Sequence, residues 1–220
     1  MLCVDIVEAV TGGGDTTIAK CNMLQRILSI GSSAECPSAL RVRVLDATRA
    51  LAISSSKHHQ TIIEAQSVDG HNLLALVTQC VLNNGEHNEA WALESLMAQL
   101  LCGNNETALL LAATLSPAPC LDDSSSEGPE GVGRVLVKTL LTFSAAVPER
   151  PRGAMAVWCA AAILGHLLHD SPQCKVRCIS VSLTDHASTA SPDTFLMMLL
   201  KQITASDLQQ VIDLPSNPII

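Results

Sequence analysis

The chain has 220 residues, 48% of them hydrophobic but only 2% aromatic, and no tyrosine. A core built from Leu, Ala, Val and Ile suits closely packed helices and excludes an immunoglobulin-like sandwich, whose strands draw on aromatic and β-branched residues. The net charge of −8, from 13 basic and 21 acidic residues, argues against nucleic-acid binding, which needs a clustered basic face.

Residues 1–11 form a short apolar segment closed by Gly12 to Gly14. This N-terminus has no basic region and carries acids early, so it does not read as a signal peptide. The nine cysteines are accordingly expected to be reduced thiols of a cytosolic chain, used as small core residues. On the same ground the glycosylation match at Asn105, Glu106 and Thr107 is read as chance. Asp15, Thr16 and Thr17 can cap a helix over 18–30, stopped by Gly31. Pro37 and Ser38 open a helix over 38–53, with Leu40, Val44, Leu45, Leu51 and Ile53 at helical spacing. Helices over 59–67, 71–83, 88–102 and 106–115 follow, the last capped by Asn105. Residues 116–131, rich in Pro, Ser, Gly and acid, read as a flexible acidic loop insertion. Beyond it the pattern predicts helices over 132–147, 152–169, 172–183 and 192–203, and no strand. Ala154 to Leu168 is the longest apolar run, shorter than the ~18 residues a membrane span needs, and reads as a fully buried helix.

Two of these helices are near copies. The stretch from Trp91 to Asn105 overlays the stretch from Trp158 to Ser171 at a constant offset, Trp on Trp and Leu100 on Leu167. A third stretch, from Arg43 to Ser56, fits the frame more loosely one unit earlier. Self-similarity at tens of residues marks a stack of helical units. The expectation is an all-α, armadillo/HEAT-type α-solenoid over 1–220. It is one repeat domain of about ten or eleven helices in pairs or triplets. Small residues (Ala92, Ala98, Ala160, Ala161, Ala162, Gly165) are expected to let neighbouring helices approach closely.

Candidate chemistry is sparse. His166, His169, Cys174 and Cys178 fall within thirteen residues and form the best metal-ligand set. Structural zinc sites favour a tight Cys-x2-Cys knuckle on a turn, so buried packing and helix-end contacts are the preferred reading. His58, His59 and Glu64 read as a solvated helix start, because adjacent helical residues diverge by about 100°. Gly12 to Gly14 with Asp15 lacks the Gly-Lys-Ser/Thr ending of a phosphate loop. Cys159, beside Trp158 on a helix, reads as inert and buried. Asp122, Asp123, Glu127 and Glu130 read as solvated loop charge. Arg41, Arg43 and Arg49, interrupted by Asp46, read as an ordinary solvated stripe, with an acidic partner as the alternative. No catalytic, cofactor or metal residue is assigned, and no cofactor is expected.

The segment from Trp158 to Lys175 resembles a stretch in the globular head of the general vesicular transport factor family, the Golgi vesicle-tethering factors. Trp158, Ala160, Ala161, His166, Asp170, Gln173 and Lys175 carry the resemblance, which extends over 88–203. It implies a non-enzymatic armadillo head that helps capture vesicles in ER-to-Golgi and intra-Golgi transport. The implied partners are Rab-type GTPases, SNAREs and golgins, and the implied location is cytoplasmic, peripheral to Golgi membranes. The family's dimerising coiled coil and acidic golgin-binding tail are not in these residues, so the resemblance implies a fragment of a longer head, and a homodimer is expected only if a coiled coil lies outside them. The alternatives are an unrelated armadillo/HEAT adaptor for a cytosolic peptide or protein, and, third, an enzyme or metal protein on a helical fold.

Overall fold

The computed structural model describes residues 17–115, 131–142, 151–181, 194, 195 and 197. Over these the chain is all-helical: nine helices and no strand among the described residues. They are α1 (Thr17–Ser32), α2 (Ser38–Ser54), α3 (Lys57–Ile63), α4 (Leu73–Asn84), α5 (His87–Leu101), α6 (Asn105–Ala113), α7 (Val132–Thr142), α8 (Pro151–Leu168) and α9 (Pro172–Ile179). Each of the first six packs on the helix three places later: α1 on α4, α2 on α5, α3 on α6, and so on to α6 on α9. Among the described residues a three-helix interval therefore recurs in the packing, beside contacts at other spacings such as α4 on α8. The row α2, α5, α8 holds the three self-similar stretches and makes the most extensive interfaces.

Burial shows why the repeat exists. Leu45, Leu93 and Ala160 occupy one position of the frame and all are fully buried. So are Thr48, Leu96 and Ile163 one turn on, while Ala52, Leu100 and Leu167 repeat the pattern after another turn, at most 2% exposed. This is the i, i+3, i+7 stripe that turns one face of a helix inward. Burying each Leu or Ile contributes about 1.5–3 kcal/mol relative to leaving it exposed. Buried side chains from all nine helices join one continuous core.

Turn chemistry repeats as well. Gly103 (φ 70°) closes α5 and Asp170 (φ 53°) closes α8, at matching positions, both left-handed. The next residues, Asn104 and Ser171, cap α6 and α9 by accepting from Thr107 N and Cys174 N. The cap of α6 is thus Asn104, one residue before the expected Asn105. Asn72 caps α4 by accepting from Ala75 N and donates from Nδ2 to Ile63 O, closing the end of α3.

Several expectations are corrected. Gly31 does not stop α1. It lies within the helix, where a Cβ would meet Val44 Cγ1 at 2.8 Å, so it is there for close approach. The 59–67 helix runs from Lys57 to Ile63. After it the chain turns back through an isolated Gln66–Asn72 bridge and a Leu73 N to Ala65 O bond of 2.9 Å. The Ala154 to Leu168 run is not fully buried: Ala154, Trp158, Ala161 and Gly165 face outward, and a Cβ on Gly165 would meet nothing within 4 Å. Residues 116–130 of the expected insertion, residues 143–147, residues 182–183 and nearly all of the 192–203 helix lie outside the described residues.

Candidate functional site

The residues opposite the buried stripe make a shared outer face on α2, α5 and α8. Exposed or half-buried positions recur in the same frame: Arg43, Trp91, Trp158; then Asp46, Glu94, Ala161; then Ala50, Ala98, Gly165. Contacts between neighbours keep the frame in step. Ser38 meets Glu86 and Arg41 meets Glu89, each 48 residues on, so α2 and α5 run in the same sense.

The two tryptophans of the chain stand side by side on this face, ring centroids 4.8 Å apart and tilted by 44°. Trp91 is 48% exposed and Trp158 38%. Trp91 Nε1 donates to His87 Nε2 at 2.7 Å, one turn back on the same helix. One turn further along α5, Glu94 Oε1 accepts from His166 Nε2 at 2.6 Å and ties α5 to α8. Beside them Cys159 is buried and its Sγ contacts Ala90 O. Burial, reinforced by the Glu94 carboxylate, pushes its thiol up to about 12, so it is inert at neutral pH.

Behind the face, polar side chains lock helix ends together. Arg41 is 6% exposed and Glu89 1%, and Arg41 Nη1 lies 2.5 Å from Glu89 Oε1. Arg41 also donates from Nε to Gly31 O and from Nη2 to Ser33 O, satisfying carbonyls at the end of α1. Glu89 Oε2 accepts from Glu86 N and closes the first turn of α5. The expected arginine stripe is therefore wrong for Arg41, which is a buried connector, while Arg43 is exposed and Arg49 sits 3.8 Å from Asp46. His59 is also corrected: it is 6% exposed, with Nε2 on Ala52 O and Nδ1 accepting from Asn104 Nδ2. That pattern fits the neutral ring protonated at Nε2. His58 bonds Leu51 O through Nδ1, and Glu64 accepts from Gln60, so these three residues do not converge.

The four-residue metal candidate is likewise dispersed. His166 is held by Glu94, His169 lies at the surface beside Asp170, and Cys174 and Cys178 point into the core. Among the described residues no group of three or more His, Cys, Asp or Glu side chains is arranged to hold a metal ion. Gly12 to Gly14, Asp15, Asp122, Asp123, Glu127 and Glu130 lie outside the described residues. Among the described residues no helix is long and apolar enough to cross a membrane.

Sequence reasoning used Trp91 and Trp158 as markers of the repeat and missed that they face out together. The clue was present: Leu93, Leu96 and Leu100 define the inward stripe, and position 91 lies off it. No protein-family model, curated protein or solved structure matches this chain.

Proposed function

We propose that this chain is a non-enzymatic protein-binding scaffold of the armadillo/HEAT solenoid type, serving as head of a vesicle-tethering factor in ER-to-Golgi and intra-Golgi transport. The observation that carries the scaffold reading is the outward-facing Trp91–Trp158 pair on a three-helix face whose inner side is packed solid. Half-exposed tryptophans concentrate binding energy at protein interfaces. The packing of each helix on the one three places later supports the solenoid type. The tethering role rests on the resemblance over 88–203 alone, as do Rab-type GTPases, SNAREs and golgins as partners and a Golgi-peripheral location.

The test is a pulldown from cytosol and Golgi membranes, with Rab-family GTPases loaded with GTP or GDP as defined baits. GTP-selective retention of the folded chain, lost in Trp91→Ala, supports the tether head. Absence of GTPase binding by a sample with a helical circular-dichroism spectrum rejects the tethering role and leaves the adaptor.

A further inference from the structure

We propose that the α2–α5–α8 face receives an extended segment of a protein partner, with the Trp91–Trp158 pair as the socket for a cationic side chain of that segment. This rests on the scaffold reading above and specifies its ligand. Because the Trp91 indole N–H is already engaged by His87, what the half-exposed Trp91 offers a ligand is aromatic ring surface beside Trp158. Such faces attract Arg and Lys through the ring quadrupole. A carboxylate stands one turn away in the same frame: Glu94 Oε1 is held by His166, and among the described residues Oε2 carries no hydrogen bond.

The rest of the face suits an extended backbone. The row Ala50, Ala98, Gly165 projects little, and the space over Gly165 is open. The Trp158 indole N–H has no partner among the described residues and can donate to a peptide carbonyl. Packed helix axes are about 10 Å apart and an extended chain advances about 3.3 Å per residue, so a crossing from α8 to α2 takes about six residues. Arg43 occupies the Trp-equivalent position on α2 and is exposed. The charge order along the face is therefore aromatic and acidic over α8 and α5, then mixed over α2, where the exposed Arg43 is followed one turn on by Asp46. The segment that matches carries Arg or Lys at one end and an uncharged or acidic residue about four or more positions away.

The probe is a Gly/Ser decapeptide with one Arg near one end and one Glu five positions on, set against the same peptide with Gln for Arg. Each is titrated into the full chain while the two indole N–H resonances are followed in a proton–nitrogen correlation spectrum. Saturating shifts of the Trp158 indole, with the Arg peptide binding about tenfold tighter than the Gln peptide, are expected. Glu94→Gln keeps the acceptor for His166 and should reduce that preference at least about threefold. Equal affinity of the two peptides, no indole shift, or an unchanged preference in Glu94→Gln would each overturn the socket. The pulldown separates this from the broader reading: GTP-selective capture alongside a failed peptide titration retires the socket alone, whereas failure of both retires the socket and the tethering role together.

Discussion

Removing one member of the Arg41–Glu89 pair is the sharpest perturbation available away from the outer face. In Arg41→Met the carboxylate of Glu89, 1% exposed, loses its counter-charge, and the carbonyls of Gly31 and Ser33 lose their donors. Breaking a buried pair from one side costs about 3–5 kcal/mol, against a total stability of about 5–15 kcal/mol for a typical domain. Glu89→Leu strands the guanidinium instead, at similar cost, and opens the capping bond to Glu86 N. The double variant buries no lone charge, so it should be less destabilised than the two singles added together, by about 2 kcal/mol or more. The assay is denaturant unfolding of all four chains by far-ultraviolet circular dichroism, with the melting temperature of either single falling by about 10 °C. A single-variant cost below about 1 kcal/mol, or strict additivity, would mean that the pair is hydrated and that α1, α2 and α5 are not joined through it.

Gly31→Ala drives a methyl to 2.8 Å from Val44 Cγ1 and should cost about 1–3 kcal/mol, recovered in part by Val44→Ala, as thermal unfolding will show. Asn104→Ala removes both the cap on Thr107 N and the donor to His59 Nδ1; a loss of about 2 kcal/mol is expected, more than an isolated cap provides, and a denaturation midpoint measures it. With a maleimide at pH 8 the exposed Cys102 should label in the native state while Cys159 labels only after unfolding, read by peptide mass mapping. Folding raises the Cys159 thiol from 9.0 to about 12, so its contribution to stability is complete below pH 9 and is lost as pH climbs toward 12; Cys159→Ala should flatten that alkaline decline in a pH series of unfolding curves.

Helix existence was readable because it depends on neighbours in the chain. The 3.6-residue spacing of leucines, Pro37 with Ser38, and Pro172 placed α2 and α9 at their starts, and the Trp frame identified the row that packs most extensively. The errors share a cause. Arg41 and His59 look like surface residues until a partner 48 or 45 residues away is brought up to them, and no local pattern announces Glu89 or Asn104. Gly31 reads as a stop because flexibility is the common use of glycine, whereas here Val44 on the next helix requires the missing side chain. Trp158 reads as core because its run is apolar throughout, and only the docking of α5 decides which side turns inward.

A chain with two tryptophans and no tyrosine has a near-ultraviolet spectrum written by one pair of rings. At 4.8 Å and a 44° tilt those rings are close enough for their transitions to couple, so the expected outcome is a tryptophan dichroism that changes when α5 and α8 part. The molecule thus carries an optical gauge on the seam between α5 and α8. Comparing that gauge with the far-ultraviolet signal of all the helices separates opening of this seam from loss of the whole, without any label being attached.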